Sequence, residues 1–244
     1  MKISEIFYSL QGEGKLLGVP SVFVRTSGCN LRCVWCDTPY ASWNPEGREM
    51  SVAEIVAEVL GHPAGHVVLT GGEPMLFKEL PDLIAQLKAA GKHITVETAG
   101  TLWLNDLPVG GIDLASISPK LANSTPTHRD GGRFAQAHDR QRENLDVLAR
   151  FATSAGGSVR ECQWKFVVAA PEDLAEIEAL LTRLNARLPE ASYILPQDVI
   201  LMPEGIDPQV LTARSLWLAD LCQQKAYRLG PRLHVMLWGN KRGT

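Results

Sequence analysis

Three of the chain's five cysteines, Cys29, Cys33 and Cys36, stand together in the spacing C-x3-C-x2-C. Three neighbouring thiols cannot all pair as disulfides, so the pattern suits a metal centre better. A structural zinc site wants four closed ligands, and no further Cys or His follows within a few residues. A cubic iron–sulfur cluster held by three cysteines leaves one iron without a protein ligand, open to a substrate or cofactor. Two blander readings stand beside it: a zinc site completed by a distant residue, and three small core residues. Cys162 and Cys222 stand alone, and Cys222 falls on the apolar face of a predicted helix.

Other residues with chemistry to offer lie nearby in sequence. Arg25 ends an apolar run just before the cysteines, where a guanidinium could grip an anionic group bidentately; a surface salt bridge is the plainer alternative. Gly12 and Gly14 in Gln11-Gly12-Glu13-Gly14 permit positive φ and close approach of a ligand. Gly71-Gly72 could bring backbone groups against a ligand, and Glu73 could accept from an ammonium. Asp37 and Thr38 directly follow the last cysteine, and an oxygen there could meet Mg²⁺. Position alone favours Thr38 as a helix N-cap.

These residues need a frame. At 244 residues, with 45% hydrophobic and 21% charged residues, the chain is long enough for one enzyme-sized domain with a substantial core. The net charge of −3 gives no basic stripe for nucleic acid. No run approaches the ~20 apolar residues of a membrane span. Free cysteines and a start without a signal-peptide core point to the cytoplasm.

Short apolar runs predict strands at 6–10, 22–25, 66–69, 94–96, 114–117, 164–168, 193–195, 199–201 and 233–237. Helices are predicted from Ser51, whose Glu54 completes a capping box, to Gly61; around 80–90; about 139–153; from Pro171 to Leu188; and about 207–225. Residues 121 to about 138 are polar and aperiodic and read as an insertion or lid, with His128 and His138 as solvated loop histidines. Alternating strand and helix argue for a parallel sheet with helices outside, open or closed into a barrel. Arg25 with the cysteines, Thr70 to Glu73, Glu97-Thr98, Ser118 to Lys120 and the tail from Trp238 each follow the C-terminal end of a predicted strand. In parallel α/β architectures those ends share one face, and ligands bind there.

The cysteine spacing and the following Gly71-Gly72-Glu73-Pro74 resemble the cluster and glycine-rich motifs of the radical S-adenosylmethionine (SAM) enzymes. With Leu10-Gln11-Gly12-Glu13-Gly14, Cys36-Asp37-Thr38, Glu97-Thr98-Ala99-Gly100-Thr101, Ser118-Pro119-Lys120 and the Trp238-to-Gly243 tail, the chain resembles the 7-carboxy-7-deazaguanine synthases from residue 4 to residue 244. The resemblance implies an α/β fold, an incomplete TIM-type (β/α) barrel of parallel strands with outer helices, in one radical SAM domain over 1–244. It implies a homodimer that uses a [4Fe–4S] cluster, SAM and Mg²⁺ to contract 6-carboxy-5,6,7,8-tetrahydropterin to 7-carboxy-7-deazaguanine with loss of ammonia, with electrons from an external donor of flavodoxin type.

Carried over by residue, it puts the cluster on Cys29, Cys33 and Cys36, and Mg²⁺ on Thr38. SAM falls to Trp35, Cys36, Asp37, Gly72, Glu73, Ser118, Pro119 and Lys120. The pterin falls to Leu10, Gln11, Gly12, Arg25, Thr70 and the terminal carboxylate of Thr244. Leu201-Met202-Pro203-Glu204 departs from a Gln-Pro-Met segment that some members carry near SAM. Two competitors remain: a glycyl-radical-enzyme activase using the same cluster and SAM, and a non-catalytic metal-binding module.

Overall fold

In a sheet covered on one side by helices, alternate residues of each strand face opposite layers. The computed structural model describes residues 1–154 and 157–244. The chain opens with β1 (Lys2–Leu10), β2 (Pro20–Thr26), the short α1 (Pro39–Ser42) and β3 (Arg48–Glu49). Then come α2 (Val52–Leu60), β4 (His66–Gly71), α3 (Leu80–Ala89), β5 (His93–Thr98), β6 (Ile112–Ile117), α4 (Ala135–Gln141) and α5 (Leu145–Thr153). The last elements are β7 (Val159–Val168), α6 (Asp173–Asn185), β8 (Val199–Pro203), α7 (Pro208–Lys225), β9 (Arg228–Leu229) and α8 (Leu233–Trp238).

The strands form one sheet in the order β3-β1-β2-β4-β5-β6-β7-β8-β9. Every neighbouring pair from β2 to β9 is parallel, whereas β1 runs antiparallel to both β2 and β3. The edge strands β3 and β9 are unpaired with each other, so the sheet is open, as an incomplete (β/α) barrel requires.

Parity along the strands separates core from cavity. Val24, Leu69, Val96, Ala115, Ile117, Phe166 and Leu201 join the apolar core. Their neighbours Arg25, Thr70, Glu97, Ser116, Ser118, Lys165 and Met202 line a cavity on the other face. Local signals hold the helices in place. The expected capping box is present at α2: Ser51 Oγ accepts from Glu54 N at 3.3 Å, and Glu54 Oε2 accepts from Ser51 N at 2.8 Å. Cys222 lies in the core at 4% exposure, as its place on α7 implies.

Four local expectations are corrected. Residues 233–237 form helix α8, not a strand. An apolar run this short carries no decisive period, and only Val235 of it is buried while Met236 and Leu237 stay exposed. Residues 193–195 form no strand, because the Asn185 side chain takes both backbone groups of Ile194, donating to its carbonyl at 3.1 Å and accepting from its N–H at 2.9 Å. The helix expected over 139–153 is two, divided where Asn144 caps α5 by accepting from Val147 N. His138 is a buried residue of α4.

Candidate functional site

A cavity of about 300 Å³ opens at the C-terminal ends of the strands, and Cys29, Cys33 and Cys36 lie on its wall. The loop carrying them leaves β2 and is held by close backbone contacts. Gly72 N donates to Thr26 O at 3.1 Å and Glu73 N to Gly28 O at 2.8 Å. A Cβ on Gly72 would sit 2.0 Å from Gly28 O, and one on Gly71 2.3 Å from Thr26 O. The glycine pair is thus required by the cysteine loop packed against it, in addition to whatever its backbone offers a ligand.

The segment read as an insertion clamps this loop from the other side. Val34 N donates to Ser124 O at 2.8 Å, and Arg129 Nη1 donates to Val34 O at 2.9 Å. Arg32 N donates to His138 Nδ1 at 3.1 Å, which leaves the ring proton on Nε2, facing Ser124 Oγ at 2.9 Å. Burial pushes His138 down to about 4 and keeps it the neutral acceptor this contact needs. The expected solvated histidine is therefore a strut of the cysteine loop.

The donor set fits an iron–sulfur cluster. Burial pushes the Cys29 and Cys33 thiols up to about 12, so both stay neutral until a bound metal displaces their protons. Among the described residues, no three His, Cys, Asp or Glu side chains converge to hold a single metal ion. Three thiols facing a cavity, without a converging fourth ligand, suit a cluster that keeps one iron open.

The other expected residues gather around the same cavity, with exceptions. Trp35, Asp37, Thr38, Gly72, Ser118 and Lys120 line it, as do Leu10, Gln11, Gly12, Arg25, Thr70 and Thr244. Lys120 Nζ donates to the Ser118 carbonyl and hydroxyl, both at 2.8 Å, and sits 5.8 Å from the Trp35 ring centre. Thr38 occupies the N-cap position of α1, yet its side chain caps nothing, and its hydroxyl stays available on the cavity wall. Pro119 is buried and outside the lining.

Glu73 departs most from expectation. Its carboxylate is fully buried and accepts from Met75 N (3.1 Å), Thr98 Oγ1 (2.8 Å) and Ala99 N (2.9 Å). Burial raises its pKa despite these donors. The side chain fastens the β4 loop to the β5 loop. The backbone is engaged as well, with its N–H on Gly28 O and its carbonyl accepting from Leu76 N at 3.2 Å, and Glu73 does not line the cavity.

In the same cavity, side chains from neighbouring strands make a polar layer. Thr70 Oγ1 donates to Glu97 Oε2 at 2.7 Å, and Gln11 Nε2 donates to Glu97 Oε1 at 3.2 Å. Arg25 Nε pairs with Glu5 at 2.7 Å, leaving its two Nη groups for the cavity it lines.

Beyond these lie Lys165 and Arg232, which sequence reasoning did not single out. Glu13 pairs with both Lys165 and Arg232, and Arg232 also pairs with Asp37 and donates to Gly205 O. Burial opposes ionisation of Asp37 and Glu13, but the cations outweigh it and hold both carboxyls below their ordinary values. Lys165 had a readable signal, a charge inside the apolar run Trp164–Val168; Arg232 had none.

Helix α8 and the tail add His234 and residues 240–244 to the cavity lining. Leu233 N donates to Gly12 O at 2.9 Å, and a Cβ on Gly12 would meet the His234 ring at 2.1 Å. The tail thus follows a helix and not the strand expected, yet it still reaches the cavity. Arg242 anchors it, pairing with Glu5 at 3.2 Å and Glu46 at 3.1 Å and lying 4.2 Å over Tyr40.

Comparison with known proteins places this geometry. Residues 23–155 match the family model of the Radical SAM superfamily. The 7-carboxy-7-deazaguanine synthase of Halobacterium salinarum is 49% identical, covering 98% of this chain and 91% of that one. That of Rhodopirellula baltica is 43% identical, covering 99% and 88%. In fold, a crystal structure of QueE from Escherichia coli matches with a TM-score of 0.67 at 24% identity, covering 96% of this chain and 94% of that one. Streptococcus suis SuiB bound to S-adenosylmethionine matches with a TM-score of 0.55 at 13% identity, covering 86% and 50%. Near-full-length identity of this order, over a cavity walled by three thiols, leaves one assignment: the chain belongs to the 7-carboxy-7-deazaguanine synthases of the radical SAM superfamily.

Proposed function

We propose that this enzyme contracts the ring of 6-carboxy-5,6,7,8-tetrahydropterin to give 7-carboxy-7-deazaguanine with loss of ammonia, as a carbon–nitrogen lyase of queuosine and deazapurine biosynthesis. The observation that supports it most is one continuous cavity lined both by three thiols and by the polar side chains of Arg25, Thr70 and Glu97. Cluster and SAM, when bound, supply the radical chemistry; Cys29, Cys33 and Cys36 would hold the one, and Trp35, the Gly72 backbone, Ser118 and Lys120 the other. The chain's own part is to bind, orient and exclude water.

Arg25 offers two Nη groups to the substrate carboxylate. Glu97, held by Gln11 and Thr70, offers carboxylate oxygens to N–H donors on the pterin's pyrimidine edge. Backbone at Leu10 and Gly12 and the end of the tail at Thr244 complete that subsite. Thr38 is the Mg²⁺ contact in this reading, on the strength of its uncapped hydroxyl at the cavity wall. A cytoplasmic homodimer fed by an external, flavodoxin-like donor belongs to the same reading. Among the described residues no helix is long and apolar enough to cross a membrane.

Anaerobically reconstituted enzyme, reduced and given SAM and the carboxypterin, is expected to form the deazaguanine, identified by mass. SAM cleavage without that product would favour an activase, and no SAM binding a plain metal module.

Arg25→Ala is expected to raise the substrate dissociation constant tenfold or more. A hydrogen bond to a charged group is worth about 1.5–3 kcal/mol, and roughly 1.4 kcal/mol is one decade. SAM affinity, measured alongside, should hold; equal loss for both ligands would mean a damaged fold.

The tail is expected to matter as much. Removing Gly243 and Thr244, or appending a C-terminal tag, displaces chain from the cavity mouth and should impair turnover strongly while iron content and SAM binding persist. Turnover equal to that of an N-terminally tagged control would return the tail to an ordinary frayed end.

A further inference from the structure

The sulfur of Cys36 has an unusual neighbour. Ser42 Oγ lies 3.1 Å from Cys36 Sγ, at the end of α1, and Ser42 is only 3% exposed. Its other contact is the Thr38 carbonyl four residues back, at a long 3.4 Å. Among the described residues, Ser42 is the nearest side-chain donor to any of the three cluster-loop sulfurs. Thr38 Oγ1 is farther from Cys36 Sγ, at 3.8 Å, and Cys29 Sγ accepts only the backbone Leu31 N–H, at 3.3 Å.

As a thiol, Cys36 can donate to Ser42 Oγ while the hydroxyl donates weakly to Thr38 O, the back-bond that helical serines commonly make. As an iron-bound thiolate, the sulfur has no proton and carries charge. The hydroxyl then has a distant neutral carbonyl and a nearer anionic sulfur to choose between, and the charge-assisted bond is the stronger. No backbone movement is needed, only rotation of one O–H.

We propose that Ser42 tunes the iron–sulfur cluster, donating a hydrogen bond to the Cys36 thiolate and raising the potential at which the cluster accepts its electron. One-electron reduction adds a negative charge to the cluster, and a donor aimed at a ligand sulfur stabilises the reduced state more than the oxidised one. Ser42 belongs to the same cavity lining, but none of the SAM or pterin roles above falls to it, and the role argued here runs through Cys36. The inference rests on the cluster reading, which its test checks separately.

The experiment is an anaerobic redox titration of the reconstituted enzyme with a low-potential one-electron reductant, reading the reduced cluster by electron paramagnetic resonance. Parent, Ser42→Ala and Ser42→Thr are compared at matched iron content. At a fixed poise the ratio of reduced to oxidised cluster is expected to fall about tenfold in Ser42→Ala, a midpoint lower by about 59 mV for a one-electron couple. Ser42→Thr keeps the hydroxyl and should stay near the parent. Coincident midpoints for parent and Ser42→Ala, or a higher one for the alanine variant, would overturn the proposal.

If Ser42→Ala takes up no iron, the reduced parent is exchanged into D2O. A deuteron strongly coupled to the cluster and beyond that expected for the Leu31 N–H supports the proposal, and its absence overturns it. A parent that binds no cluster would refute the underlying reading as well.

Discussion

Cys33→Ala is expected to yield a folded protein that holds no complete cluster and cleaves no SAM. Cys33 lies at 8% exposure in the clamped loop, its carbonyl accepting from Trp43 Nε1 at 2.9 Å. Its thiol, pushed up to about 12 by burial, is neutral before metal arrives. Loss of the sulfur therefore removes a ligand without stranding a buried charge or a backbone contact. Matched Cys162→Ala and Cys222→Ala variants should keep full iron content, since neither residue lines the cavity. Iron and sulfide analysis after reconstitution reads the first effect, and 5′-deoxyadenosine formation the second. SAM cleavage by Cys33→Ala at the parent's rate would sink the cluster assignment.

The second large effect is expected at Arg232, which sequence reasoning did not reach. Its guanidinium joins Glu13 of the first turn, Asp37 of the cysteine loop and the Gly205 carbonyl beyond β8. Removing one partner of a buried ion pair typically costs about 3–5 kcal/mol. The low end applies here, because Lys165 still neutralises Glu13 and the Asp37 side chain is 35% exposed to the cavity.

Arg232→Met should therefore lower the thermal midpoint by roughly 6–12 °C, at about 2–4 °C per kcal/mol for a chain of this size. SAM and substrate affinity should weaken together, since Arg232 holds Asp37, expected at SAM, and Glu13, the neighbour of Gly12 in the expected pterin subsite. Adding Asp37→Asn removes the stranded charge and should recover part of the lost stability. A midpoint for Arg232→Met within a degree of the parent would show that the pairing contributes nothing net.

Arg232 and Cys33 mark the two sides of what sequence could reveal. The three cysteines were readable because their chemistry depends on local spacing, which a linear pattern displays. The strands that carry Arg25, Thr70 and Glu97 were readable because each is a short apolar run, and the folded sheet buries them on both faces. The α2 capping box was readable because both of its halves lie within one turn.

The failures have a common cause. Residues 233–237 have the composition of a strand, but they pair with no strand and form a helix bonded to Gly12. Glu73 has the type and place of a ligand, but three donors from its own and a neighbouring loop claim its carboxylate. His138 has the setting of a solvated loop residue, but folding turns it onto Arg32, across a span of 106 residues.

The sequence by itself determined the spacing of the three cysteines, the alternation of strand and helix, and hence the end of the sheet at which the motif-bearing loops gather. These depend on spacing and period, which exist before the chain folds. Only the tertiary structure decided which charges neutralise one another, which glycines are required by close approach, and what holds the cysteine loop in place. Such pairings join Glu13 to Lys165 and Arg232, or Arg242 to Glu5, across most of the chain. A desolvated charge takes whatever partner the folded backbone brings within reach, and that reach has no trace in local sequence.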